Sequence, residues 1–144
     1  MVAQIRGADA RVLVVDDDAV NRLLLSRLLA RMGVNQLRVE GQADRLGDIV
    51  RDFQPDLILM DLHVGDVDGL DALREVAAQD PDWSARRVIM ITGETGDQIE
   101  RRCRDAGVSS VLTKPYTAEL LLSTVEEALA SLPGHERRAP PTAG

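Results

Sequence analysis

"VLVVDDDAVNR" (Val12–Arg22) runs from an apolar stretch straight into consecutive aspartates, Asp16, Asp17 and Asp18. A run that is apolar at every position suits a strand buried on both faces, as in a parallel sheet covered by helices. Like charges gathered at its end repel, so a site that collects them must offset the repulsion. The same pattern recurs along the chain. "DLILM" (Asp56–Met60) ends at Asp61, "VIMIT" (Val88–Thr92) at Gly93 and "VLTK" (Val111–Lys114) at Pro115. "QLRVE" (Gln36–Glu40) is more polar and reads as an edge strand.

Helical patterns alternate with these runs. Val20, Leu23, Leu24, Leu28 and Met32 share helical spacing, with Gly33 as a stop signal. Asp44–Phe53 and Leu70–Gln79 are shorter candidates. Gln98–Ala106 stops before Gly107, and Thr117 can cap a last helix that runs to Ser131. The alternation predicts an α/β fold with helices on both faces of one parallel sheet. In such folds ligands lie beyond the carboxyl ends of the strands. That rule selects Asp16, Asp17, Asp18, Asp61, Thr92 and Lys114 as one rim.

A chain of 144 residues suggests one domain. Aromatics are 2% of it, so the core must be aliphatic. A net charge of −7 argues against general nucleic-acid binding, and Arg101, Arg102 and Arg104 read as a solvated helix face. Cys103 is the single cysteine, so no disulfide within the chain is expected, and it reads as a buried small residue. No apolar stretch approaches the roughly 18 residues of a membrane span. The first residues lack the hydrophobic segment of a signal peptide. A cytoplasmic protein is expected. It divides into an N-terminal extension (1–10), a domain (11–131) and a polar, proline-bearing tail (132–144) expected to be disordered.

The rim suggests a chemistry. Converging Asp16, Asp17 and Asp61 would force one carboxylate towards protonation unless a divalent cation joined them. An all-oxygen set favours Mg²⁺, with Mn²⁺ as the alternative, over zinc. Mg²⁺ is usually held by one or two carboxylates and shares a phosphate, so the acids imply a phosphate ligand. Lys114 supplies a point charge for a phosphoryl oxygen, and Thr92 a hydroxyl donor. A carboxylate can itself attack phosphorus, giving an aspartyl phosphate.

"VLVVDDD", "DLILMDLHVGDVDGLDAL", "VIMITGE" and "AGVSSVLTKPY", in that order, resemble the receiver domain of two-component response regulators. The resemblance covers about residues 11–131 and implies a CheY-like, flavodoxin-like three-layer α/β/α fold with a five-stranded parallel sheet in the order 2-1-3-4-5. It implies Asp61 as phosphoacceptor, with Asp16, Asp17, Asp61 and the backbone carbonyl of His63 around Mg²⁺. Thr92 and Lys114 would contact the phosphoryl group, and the Lys114–Pro115 peptide would be cis. The donor would be a histidine kinase or histidine phosphotransfer protein. Output would pass by protein contact through the fourth helix, fifth strand and last helix. Such a domain is a signalling module that catalyses only its own phosphorylation and dephosphorylation. Asp18 falls outside the metal site, at the start of the first helix. His63 and Glu94 stand two residues beyond Asp61 and Thr92, where family members tune the lifetime of the phosphoryl group.

Two departures stand out. Val64 and Gly65 replace the usual Met-Pro, and Gly65 is expected to loosen its loop. Val111 stands where most receivers carry the aromatic ring of a threonine–aromatic switch, which puts that switch in question. Three rival readings are weaker. A dehalogenase-type phosphatase would use Asp16 as nucleophile and Asp18 as acid/base. It lacks a later acidic pair, since Glu119, Glu126, Glu127 and Glu136 fall on a helix or in the tail. A docking receiver that works without phosphorylation is the second. A calcium loop at Asp66, Asp68, Gly69 and Glu75 would begin on Val64, so its spacing reads as accidental.

Overall fold

The computed structural model describes residues 9–132. The tail from residue 133, and residues 1–8 of the N-terminal extension, lie outside the described residues.

Val12–Val15 and Leu57–Met60 are 0% exposed throughout, as runs apolar on both faces require. They form the middle of β1 (Arg11–Val15) and β3 (Leu57–Asp61). The other strands are β2 (Gln36–Glu40), β4 (Arg87–Thr92) and β5 (Ser110–Thr113). All pair in parallel in one five-stranded sheet, in the order β2-β1-β3-β4-β5. This is the expected order. A short antiparallel ribbon, His63–Val64 against Val67–Asp68, follows β3.

Among the described residues, five helices cover the sheet: α1 (Ala19–Arg31), α2 (Leu46–Phe53), α3 (Gly69–Gln79), α4 (Asp97–Asp105) and α5 (Ala118–Ala130). Leu25, Leu28 and Leu29 of α1 and Leu121, Val125 and Leu129 of α5 pack on one face. Leu46 and Ile49 of α2, Leu70 and Leu73 of α3, and Cys103 of α4 pack on the other. Side-chain caps fix where helices start. Asp18 accepts from the Val20 amide at 2.8 Å and the Asn21 amide at 3.3 Å, and Thr117 accepts from Leu120 at 3.0 Å. Gly33 closes α1 at φ +97°, where a side chain would be strained.

The apolar stripe expected on α1 is corrected. Val20, Leu23 and Leu24 are 73%, 54% and 48% exposed. "VNRLLLSRLL" holds two overlapping helical stripes, and the one through Leu25, Leu28 and Leu29 faces the sheet. The exposed residues lie in the first turns of α1, the part that follows directly on the end of β1.

Candidate functional site

Strand register builds the site. Val15 pairs with Met60, so the residues after them, Asp16 and Asp61, emerge side by side. Asp61 pairs with Ile91, and Thr92 with Thr113, which brings Thr92 and Lys114 to the same rim. The Lys114 amide donates to the Thr92 carbonyl at 2.8 Å, and the Lys114–Pro115 peptide is cis.

Asp16, Asp17 and Asp61 each offer a carboxylate oxygen, and these lie within 4.8 Å of one another. Asp16 and Asp61 are buried, at 2% and 7% exposure. Burial pushes the Asp16 carboxyl up, and the charges of Asp61 and Asp17 add to that rise; the Asp18 amide, which donates to it at 2.8 Å, opposes them. Such crowding of buried acid is the situation that a bound cation relieves. Lys114 supplies one positive group, with Nζ 3.0 Å from Asp61 Oδ2. Burial alone would depress its ammonium, but Asp61 and Asp16 outweigh that and raise it, so Lys114 stays charged.

Thr92 is buried, and its hydroxyl oxygen accepts from the Glu94 amide at 2.9 Å. The Glu94 carboxylate reaches back across the mouth to His63 Nε2 at 2.5 Å. The two positions marked in the sequence for phosphoryl lifetime are thus in contact. Gly65 adopts φ +60°, and its amide donates to Asp17 Oδ2 at 2.8 Å. The loop expected to be loose is therefore tied to the acid cluster. Proline could not make this bond, having no N–H. Gly69 is required for another reason. A Cβ there would sit 2.4 Å from the Asp61 carbonyl oxygen.

Other groups at the rim carried no clear signal in the sequence. Arg22 Nη1 donates to the Asp16 carbonyl at 2.7 Å, from one helical turn into α1. Tyr116 is half-buried, and burial, then the charge of Asp16, pushes its phenol up. Arg102 leaves the solvated face expected of it and pairs with Asp68 at 3.0 Å. Arg101 and Arg104 do stay exposed, and Cys103 is buried, with its thiol pushed up by that burial. Val111 is 39% exposed on β5.

Two of the rivals, the dehalogenase and the calcium loop, lose their residues. Asp18 spends its carboxylate on helix amides, which removes the acid/base of a dehalogenase. Asp68 caps α3 and pairs with Arg102, so the calcium-loop spacing falls on a ribbon and a helix. Among the described residues no helix is long and apolar enough to cross a membrane.

Residues 12–126 match the model of the response regulator receiver domain. The sensory/regulatory protein RpfC of Xanthomonas campestris is 32% identical over 122 residues, which are 84% of this chain and 17% of that protein. The chain thus spans about a sixth of that relative's length. Protein PilH of Pseudomonas aeruginosa is 31% identical over 84% of this chain and 98% of its own. Among solved structures, the CheX–CheY–BeF₃–Mg complex of Borrelia burgdorferi superposes with TM-score 0.76 at 21% identity, over 86% of this chain and 96% of that one. That likeness shows the fold. The ordered match over most of the chain, with near-complete coverage of a relative of similar length, makes this chain a member of the response regulator receiver domain family.

Proposed function

We propose that this receiver takes a phosphoryl group from a phosphohistidine donor onto Asp61. The observation that carries the reading is the Lys114–Asp61 contact of 3.0 Å beside three clustered carboxylates. One Asp61 oxygen attacks phosphorus as the P–N bond to the donor imidazole breaks. Lys114 meets the charge that develops on the equatorial oxygens. Thr92 turns its hydroxyl from the Glu94 amide towards the same oxygens.

The donor set fits Mg²⁺, with Mn²⁺ as the alternative: it is all oxygen and crowded enough to raise Asp16. Asp16, Asp17, Asp61 and the His63 carbonyl would hold the ion. When bound, it would neutralise charge on the acids and on the phosphoryl group. Arg22 fixes the Asp16 backbone and Gly65 the Asp17 carboxylate, so both acids are placed before any ligand arrives. The His63–Glu94 bridge covers the mouth and limits the approach of water, which lengthens the life of the acyl phosphate.

Donor and output use different faces in this reading. The donor must bring a histidine to Asp61, and Val20, Leu23 and Leu24, exposed in the first turns of α1 just after the acids, offer it an apolar surface. The signal leaves through α4, β5 and α5 by protein contact. The proposed place of action is the cytoplasm, where the lone, buried Cys103 stays reduced. Labelling with acetyl phosphate tests the reaction. Wild type with Mg²⁺ should take up phosphoryl group; with chelator, or as Asp61→Asn, it should not. Equal labelling of Asp61→Asn would sink the assignment.

A further inference from the structure

α4 is the least anchored helix of the fold. Cys103 is its only buried residue, and its N-cap, Gly96, provides no side-chain hydrogen bond. Arg102 ties it down on the side of the rim. Its Nη2 donates to Asp68 Oδ1 and Oδ2 at 3.0 Å each and lies 3.6 Å from Asp71 Oδ1. Burial raises Asp68, but the Asp71 amide and Arg102 outweigh it and hold the carboxyl below its ordinary value.

Asp68 is also the last residue of the ribbon that leaves Asp61, and it caps α3 by accepting the Asp71 amide at 3.0 Å. Gly69 comes next. Its amide donates to the Leu62 carbonyl at 2.6 Å, and its Cα lies too close to the Asp61 carbonyl to carry a Cβ. Arg102 is therefore separated from the backbone of the phosphoacceptor by only one ion pair and one tight backbone contact. The aromatic ring that would offer another route is replaced by Val111, 39% exposed.

We propose that Arg102 is a positioning residue that couples α4 to Asp61 through Asp68 and Gly69. The proposal rests on the phosphoacceptor reading of Asp61. Coupling of this kind is reciprocal: what α4 does to the affinity of the site, a ligand in the site does to α4.

Beryllofluoride with Mg²⁺, a mimic of the bound phosphoryl group, provides the test. It is titrated into wild type, Arg102→Gln and Asp68→Asn, with affinity and amide exchange read by NMR. Asn caps helices as well as Asp, so Asp68→Asn keeps the cap of α3 and removes only the ion pair. Both variants should bind about two- to fivefold more weakly than wild type. Both should lose the change that binding produces in the exchange of α4 amides, and Arg102→Lys should recover part of each effect. A purely structural tie would speed α4 exchange and leave affinity alone, and that result overturns the coupling. A wild type with no saturable binding overturns the reading of Asp61 itself, and the coupling with it.

Discussion

The two ends of the sheet carry buried charge in opposite ways. At the amino end, Arg86 is 7% exposed and each of its three guanidinium nitrogens has a partner. Its Nε donates to Asp80 Oδ2 at 2.6 Å, Nη1 to the Pro55 carbonyl at 2.8 Å, and Nη2 to Gln54 Oε1 and Asp80 Oδ1 at 3.1 and 3.2 Å. At the carboxyl end, Asp16, Asp17 and Asp61 face one lysine. Asp80 is held below its ordinary range by Arg86, whereas Asp16 is pushed up by burial and by its neighbours' charge. One cluster closes on itself and holds the fold together. The other is left short of positive charge, which is the condition for binding a cation.

The largest expected effect is at the closed end. Arg86→Ala leaves the Asp80 carboxylate without its counter-ion and with only the Asp82 amide, 3.1 Å from Oδ1, at the end of α3 where negative charge is already unfavourable. It should cost about 3–5 kcal/mol, measured by denaturant unfolding. The folded fraction should still take up phosphoryl group, because the rim is at the other end of the strands. Gly69→Ala should cost about 1–3 kcal/mol by overpacking, but here phosphoryl uptake should fall as well. A variant that keeps full uptake would show that the Gly69 contact does not position Asp61.

The open end should respond with the opposite sign. Asp16→Asn removes repulsion and keeps the acceptor for the Asp18 amide. It should stabilise the metal-free protein by about 1 kcal/mol and abolish its stabilisation by Mg²⁺. Destabilisation of the metal-free form would mean that the acids are not in conflict.

The same contrast sets the pH dependence. Asp80 has a folded pKa below the unfolded value of about 3.9, so its stabilisation is complete above that pH and is lost as pH falls through the folded value. Asp16 has a raised folded pKa, so metal-free stability falls as pH climbs from about 3.9 through that value. Asp80→Asn should remove the first slope and Asp16→Asn the second, in thermal unfolding from acid to neutral pH.

The members of the rim were legible because they depend on local sequence, whereas the order of the sheet came from the resemblance to receiver domains and from no strand's own composition. A strand apolar on both faces has an unmistakable composition, and the residue after it must stand at the rim. Asp18 was legible as a cap for the same reason. The face of α1 was not, since its leucines fill two stripes and only the sheet chooses between them. Nor were the ties of Arg102 to Asp68 or His63 to Glu94, which join residues 34 and 31 positions apart. Pairing across such distances leaves no mark in the spacing. Gly65 was misjudged because its freedom was visible and its bond to Asp17 was not.

The smallest effect belongs to the misread face. Leu23→Ala, at an exposed position, should change stability by less than about 0.5 kcal/mol. It should slow transfer from a phosphohistidine donor while leaving uptake from acetyl phosphate unchanged. Equal slowing of both would place Leu23 in the site rather than in its approach.

The most direct measurement is the location of the phosphoryl group itself. After reaction with acetyl phosphate and Mg²⁺, peptide mapping by mass spectrometry should find it on Asp61 alone. Modification of Asp16, with Asp61 untouched, would contradict the assignment and return the first aspartate of "VVDDDAV" to the role of nucleophile.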